Sequence, residues 1–120
     1  MDRNELQQRT KKFHVDVIRL CSDFPKNAAG FETAKQLIRS AGSVAANYRA
    51  TKRAKSNADF IYKIEIVLEE ADESHYWLEV VKDVQLTSNS DVERLIDEAS
   101  QLTAIFAATD KTAKAKRSKD

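Results

Sequence analysis

One pair of side chains has a spacing that metal chemistry uses in helical proteins: Asp72 lies three residues before His75. Di-iron helix bundles hold their metals with a carboxylate and a histidine at this spacing on each of two helices, together with further inward-facing carboxylates. The other histidine, His14, follows Thr10 and Lys11 at four and three residues, so a second pair does not exist. The sequence therefore predicts no metal site and no cofactor. A metal-dependent oxidase is the weakest of three functional hypotheses.

Cys21 is the single cysteine, and its neighbours in sequence include Ile18, Leu20 and Phe24. Apolar surroundings disfavour the thiolate that nucleophilic chemistry needs, so Cys21 is interpreted as core filling. A phosphate-binding loop, a dinucleotide-binding glycine pattern and zinc-ligand spacing are all absent from the sequence. We therefore expect a protein that is not an enzyme and has no small-molecule substrate.

Basic side chains on the predicted second helix could bind phosphate groups. At roughly 100° per residue they fall within an arc of about 80°, and the forked guanidinium of arginine suits phosphate. The residues are Lys35, Arg39, Arg49 and Arg53. They predict a surface for RNA or DNA. Two other interpretations stay open: the face is simply solvated, or it meets an acidic stripe of the third helix in another subunit. That acidic stripe contains Glu65, Asp72 and Glu79.

The third predicted helix has apolar residues on two sides, where a lone bundle needs one. The stripe predicted to enter the core contains Phe60, Ile64, Val67, Ala71, Leu78 and Val81. The second stripe contains Tyr62, Ile66, Trp77, Val80 and Val84. Because exposed apolar patches commonly mark protein contacts, the second stripe predicts an interface for self-association or a protein partner. The alternative is that a loop or the end of the first helix covers it.

Four helices must position these residues. The first is predicted over residues 6–24, because Pro25 follows. The second runs from about Phe31 to Arg53, after a loop at 26–30, and the third begins after Ser56 and ends near Val84. The fourth follows a loop at 87–90. Short connections favour neighbouring helices of opposite direction, so we expect an all-α, antiparallel up-down-up-down four-helix bundle.

The core of this bundle is predicted from three-four spacing on each helix. Helix one contributes Leu6, Phe13, Val17, Ile18, Leu20, Cys21 and Phe24. Helix two contributes Leu37, Ile38, Ala41, Val44, Ala45 and Tyr48. Helix four contributes Val92, Leu95, Ile96, Ala99, Leu102, Ile105 and Phe106.

Composition agrees with one small helical domain. The 120 residues include two glycines and one proline, with 42% hydrophobic and 32% charged residues. We expect the bundle over residues 1–109 and a disordered basic tail over 110–120, where five Lys or Arg stand against two Asp. The single cysteine, and the lack of a signal peptide or membrane-spanning segment, favour the cytoplasm.

Gly42 lies inside the second helix, where glycine costs about 1 kcal/mol relative to alanine. Ser40, Ser43 and Asn47 lie beside it, which makes a strip of small and polar side chains. We expect a neighbouring backbone to approach there, with Asn47 able to hydrogen-bond across the contact or to face solvent.

The second and third helices carry segments that resemble a known family. These are Gln36-Leu37-Ile38-Arg39-Ser40-Ala41-Gly42-Ser43-Val44-Ala45-Ala46-Asn47-Tyr48-Arg49-Ala50, Ala58-Asp59-Phe60 and Glu69-Glu70-Ala71-Asp72-Glu73-Ser74-His75-Tyr76-Trp77-Leu78-Glu79. They are similar to the bacterial four helix bundle protein family, also called 23S rRNA-intervening sequence proteins, over residues 6–109. The motif residues are Arg39, Ser40, Ser43 and Asn47.

The resemblance implies a four-helix protomer that assembles into a ring-like homopentamer. Relatives in this family are encoded inside ribosomal RNA genes or serve retroelements as RNA-binding accessory subunits. We therefore expect a non-enzymatic, oligomeric bundle that contacts RNA or DNA. The alternative is a protein-protein interaction scaffold that does not bind nucleic acid.

Overall fold

The computed structural model describes the backbone of residues 1–119 and the side chains of residues 1–117. It contains four α-helices: α1 (Arg3–Cys21), α2 (Ala28–Ala50), α3 (Asn57–Asp83) and α4 (Asp91–Lys119). A short 3-10 turn over Thr51–Arg53 follows α2. Residues 1–119 contain no strand. The expected all-α, four-helix class is confirmed.

Polar side chains cap the first three helices at their N-termini. The Glu5 amide donates to the Asp2 carboxylate at 2.8 Å, and the Asp59 amide donates to Ser56 Oγ at 3.0 Å. Asn27 Oδ1 accepts from the amide of Gly30 at 2.9 Å. Because Asn27 satisfies an otherwise unpaired amide, α2 begins at Ala28, inside the segment that the sequence analysis assigned to a loop.

Gly30 is required where the chain turns from α1 into α2. A Cβ atom at this position would lie 1.9 Å from the carbonyl oxygen of Pro25. The entry into α2 therefore brings two backbone segments too close for any side chain.

The core lies between the four helices, and every helix contributes fully buried side chains. The largest of these are Phe13, Phe106, Leu20, Leu37, Ile64, Leu78, Leu95 and Leu102. The prediction for Ile18 is wrong, because its side chain is 45% exposed. At 100° per residue Ile18 lies roughly 140° around α1 from Phe13, which turns it out of the core. Ile38, Phe60, Ile96 and Ile105 pack against the core from partly buried positions.

Each helix packs against the next one in sequence, and α1 also packs, less extensively, against α4. Arg3 near the start of α1 donates to Thr51 Oγ1 just after α2 at 3.0 Å. Lys82 near the end of α3 pairs with Glu93 near the start of α4 at 2.9 Å. Contacts of this kind place the start of α1 beside the end of α2 and the end of α3 beside the start of α4.

Residues 110–119 form the last turns of α4, so the expectation of a disordered tail is wrong for them. Asp110 and Ala113 are buried, and Lys114 Nζ pairs with Asp110 at 2.9 Å and with Glu65 of α3 at 3.2 Å. Alanine and lysine are also good helix formers. The tail therefore extends α4 along α3; Asp120 lies outside the described residues.

No helix within the described chain is long and apolar enough to cross a bilayer. The described side chains also include no group of three or more His, Cys, Asp or Glu that is placed to hold a metal ion.

Candidate interaction surfaces

The two segments that carry the family resemblance contact each other across α2 and α3. Ser40 Oγ and Ser74 Oγ form a buried hydrogen bond of 2.8 Å. The guanidinium of Arg39 pairs with Glu70 at 2.7 Å and also with Glu73. All three contacts join one segment to the other, so the motif residues Arg39 and Ser40 connect α2 with α3.

Electrostatics at this contact oppose a role for Arg39 in nucleic-acid binding. Hydrogen bonds with Glu70 and Glu73 raise the pKa of Arg39. Partial burial alone would raise the pKa of Glu73, but hydrogen bonds from Arg39 and other groups outweigh it and leave that pKa lowered. The Arg39 guanidinium thus already pairs with two carboxylates, which compete with any phosphate for it.

The side chain of His14 packs against Gly42, where a neighbouring backbone was expected. A Cβ atom at Gly42 would lie 2.9 Å from His14 Nε2 of α1. Asn47 also differs from expectation, because its amide donates within α2 to the carbonyl and hydroxyl oxygens of Ser43, both at 3.0 Å. A cleft of about 420 Å³ lies between α1 and α2 beside Gly42. Its lining includes Lys11, His14, Gly42, Ala45, Ala46 and Arg49.

The four basic residues predicted from the sequence do not form one site. Lys35, Arg49 and Arg53 are all exposed. Lys35, however, lies 14 residues before Arg49 on α2, which is about 21 Å along a helix. Arg49 and Arg53 are close to the end of α2, and Lys35 is close to its start.

Arg49 and Arg53 belong to a larger cluster at one end of the bundle. A cleft of about 500 Å³ joins four elements there and is lined by Arg3, Tyr48, Phe60, Ile105 and Thr109 among others. The Lys52 ammonium also donates to Asn4 at 3.2 Å. The start of α1, the turn after α2, the start of α3 and the end of α4 therefore meet. We call seven of the exposed cations in these segments the basic end: Arg49, Lys52, Arg53, Lys55, Lys111, Lys116 and Arg117.

Charge is unevenly distributed along the chain, and residues 1–45 contain eight Lys or Arg and five Asp or Glu. Residues 46–63 and 108–117 contain nine Lys or Arg and two Asp, whereas residues 64–107 contain two Lys or Arg and eleven Asp or Glu. The bundle measures 52 × 23 × 20 Å, so its length is several times the Debye length of about 8 Å at physiological salt. Glu65 pairs with Lys114, but carboxylates near the end of α3 and the start of α4 do little to cancel the potential of the basic end.

Most cations of the basic end form no ion pair within the described chain. Arg49, Arg53, Lys111, Lys116 and Arg117 form no ion pair with another described residue. By contrast, Arg9 pairs with Glu98 and Arg94 with Asp16 and Asp91. Sequence reasoning recognised a basic tail and two of the arginines, but it missed the cluster because it treated the tail as disordered.

The second apolar stripe of α3 is only partly exposed. Tyr62 is 64% exposed and Val84 is 58% exposed, whereas Ile66, Trp77 and Val80 are partly buried. Trp77 packs against the core of its own chain. The expectation that the whole stripe projects away from the bundle is therefore wrong for Trp77.

An aromatic pair lies on this side of α3. Tyr76 is exposed, and its ring meets the Trp77 ring edge-on, with centroids 5.1 Å apart and planes at 74°. The indole Nε1 of Trp77 is buried, and Trp77 is among the groups that lower the pKa of Glu73. This side of α3 thus offers exposed aromatic surface at Tyr62 and Tyr76.

Cys21 is a poor candidate for nucleophilic chemistry. The side chain is buried, and burial raises the pKa of its thiol to about 12. A thiol with so high a pKa is protonated at neutral pH and does not supply a thiolate.

Comparison with known proteins identifies relatives of this fold. The sequence profile described as 23S rRNA-intervening sequence protein matches residues 2–108. A crystal structure from Bacteroides thetaiotaomicron VPI-5482 superposes with a TM-score of 0.82 at 29% sequence identity, covering 92% of this chain and 99% of that chain. That relative is described as a protein with unknown function from the S23 ribosomal protein family. No curated protein matches the chain. Since the profile spans nearly the whole sequence, the chain belongs to the 23S rRNA-intervening sequence protein family.

Proposed function

We propose that this protein is a non-enzymatic RNA-binding protein whose basic end contacts the phosphate backbone. The observation that carries the proposal is the group of exposed cations without ion pairs at one end of the bundle, in contrast to the acidic residues 64–107. Lysine and arginine that neutralise phosphates release condensed counterions, and this release drives association. The acidic surface of residues 64–107 repels the same backbone, so the charge pattern also orients the protein on RNA.

The names of the relatives support RNA as the nucleic acid. The family is described as 23S rRNA-intervening sequence proteins, and the structural relative is assigned to the S23 ribosomal protein family. Both descriptions refer to ribosomal RNA or the ribosome. DNA shares the phosphate chemistry and is therefore the comparison ligand in the binding experiment.

The proposal includes an antiparallel up-down-up-down protomer that assembles in the cytoplasm as a homo-oligomer, with the pentamer as the expected state. Cross-helix pairs such as Arg9 with Glu98 and Arg94 with Asp16 support helices of alternating direction. Exposed Tyr62, Tyr76 and Val84 support self-association through α3. The same aromatic surface favours the second candidate function, a protein-protein scaffold without nucleic acid.

Light scattering of the wild-type chain and of Tyr62→Asp tests the assembly. We expect an oligomeric mass for the wild-type protein and a smaller mass for Tyr62→Asp, because a carboxylate at an exposed contact residue opposes desolvation. A wild-type mass equal to one chain would contradict assembly.

Charge reversal at the two ends of the bundle tests RNA binding. Anisotropy of a labelled RNA hairpin is measured at low salt for wild type, for Arg49→Glu/Arg53→Glu and for Lys26→Glu/Lys35→Glu. Both double variants change the net charge equally and alter exposed residues. We expect the first to weaken binding at least about tenfold and the second less than about twofold, since backbone contacts dominate RNA affinity.

Equal losses in the two variants would contradict a localised basic end. Absence of wild-type binding at low salt would refute RNA binding and leave the scaffold hypothesis. Tighter binding of a DNA hairpin than of the RNA hairpin would identify DNA as the ligand and overturn the assignment to RNA.

A further inference from the structure

Phe60 lies between two clefts at the basic end. The larger cleft, described above, is also lined by Arg3, whose guanidinium carbon stands over the Phe60 ring at 5.9 Å from its centroid. The smaller cleft has a volume of about 330 Å³ and separates the start of α3 from the last turns of α4. Its lining residues are Asn57, Phe60, Thr109, Thr112, Ala113 and Lys116.

We propose that the smaller cleft seats one unpaired nucleobase and that the protein therefore prefers single-stranded over duplex RNA. The inference rests on the proposed function and names the kind of RNA that the basic end accepts. In the proposed complex the base stacks against Phe60, and its phosphate lies next to Lys116.

The chemistry of the lining fits a nucleotide. Phe60 is partly buried and supplies an aromatic surface, while Ala113 is buried and supplies an apolar wall. Asn57 and Thr112 are exposed and bring an amide and a hydroxyl that can bond base edges. Lys116 is exposed and basic, and none of the six lining residues is acidic. Single-stranded sites combine these parts: aromatic rings that stack bases and cations that follow the backbone.

Size and surroundings favour the same occupant. The cleft volume of about 330 Å³ lies at the lower end of small-molecule sites, which span roughly 300–1,000 Å³. Lys111 and Arg117 flank Lys116 on α4, so an RNA strand entering the cleft remains close to cations. Bases in an RNA duplex are stacked on one another, whereas unpaired bases can be splayed out onto a protein ring. A duplex can therefore use the cations of the basic end but not the cleft.

Anisotropy of the full chain with two labelled RNAs of equal length, an oligouridine strand and a fully paired duplex, tests this inference. We expect the wild-type protein to prefer the single strand. Phe60→Leu should weaken single-strand binding about tenfold and duplex binding less than about twofold, because base stacking is lost and phosphate contacts are kept. Phe60→Tyr keeps an aromatic ring and should retain the preference. Phe31→Leu, at an exposed phenylalanine near the start of α2 and away from both clefts, is the matched control and should change neither affinity.

A second variant keeps the test decisive if circular dichroism shows that Phe60→Leu unfolds. Thr112→Leu adds bulk at an exposed position of the cleft and should lower single-strand affinity selectively. Equal loss for both RNAs in these variants, or a wild-type preference for duplex, would overturn the inference while leaving RNA binding intact. Failure of the wild-type protein to bind either RNA would overturn the proposed function as well.

Discussion

Arg39 and Ser40 are adjacent on α2, and both are engaged by α3. The Ser40–Ser74 hydrogen bond is buried, and a buried bond of this kind contributes about 1 kcal/mol to stability. The Arg39 side chain is 49% exposed, so its ion pairs contribute little, about 0–1 kcal/mol. These residues of the family motif therefore act in helix pairing. Both side chains make contacts within the fold.

Gly30 and Gly42 have different structural roles, and alanine substitution should affect stability differently at the two positions. At Gly30 an added Cβ meets the Pro25 carbonyl at 1.9 Å, and a backbone atom cannot move aside easily. We expect Gly30→Ala to lower the free energy of unfolding by about 1–3 kcal/mol. At Gly42 the added Cβ meets His14 Nε2 at 2.9 Å, and that ring is the far end of a movable side chain.

Gly42→Ala should therefore range from neutral to about 1 kcal/mol more stable, since alanine is the better helix former. Urea unfolding of the two variants beside wild type measures both values. A Gly42→Ala variant that is destabilised as much as Gly30→Ala would show that His14 is held rigidly.

At the scale of elements, the helices are predictable from the sequence because apolar residues recur at intervals of three and four residues over long stretches. The Ser56 cap with Asp59 was also predictable, since a short polar side chain before an apolar run satisfies free amides. The extension of α4 beyond Asp110 was not predictable from the sequence. Beyond Asp110 the only apolar residues are alanines between lysines, which resemble a solvated tail. Burial of Ala113 depends on α3 lying alongside, and no local pattern reveals that.

Docking of the α4 end onto α3 can be tested with two alanines. Ala113 is buried and Ala115 is exposed, two residues apart in the same helix. Ala113→Asp should lower stability by about 1–3 kcal/mol, because a charge would be buried or the last turns would detach. Ala115→Asp, which has the same helix propensity change, should have a much smaller effect. Thermal unfolding followed by circular dichroism measures the difference; equal, small effects would indicate that residues 110–117 do not pack.

At the scale of the whole molecule, the basic end arises from segments that are far apart in sequence. Arg49 and Arg117 belong to the ends of α2 and α4, and only the packing of the helices brings those ends together. Lys35 and Arg39 share a face of α2 with Arg49 and Arg53, which is why periodicity along one helix predicts a single surface. Helical periodicity gives the direction of a side chain around an axis, but it does not identify which ends of different helices meet.

The salt dependence of RNA affinity is also a property of the whole molecule, because cations from several helices contribute to it. If about five cations of the basic end contact phosphates, the logarithm of the association constant should fall with the logarithm of salt concentration with a slope of roughly −3 to −5. Reversal of Arg49 and Arg53 should make the slope shallower, whereas reversal of Lys26 and Lys35 should not.

Lysine footprinting tests the central claim most directly, because lysines lie at both ends of the bundle. The protein is acetylated briefly with and without an RNA hairpin at low salt, and each lysine is quantified by mass spectrometry. We predict that RNA protects Lys52, Lys55, Lys111 and Lys116, while exposed Lys26 and Lys35 keep their reactivity. Equal protection at both ends, or no protection at the basic end, would contradict the account.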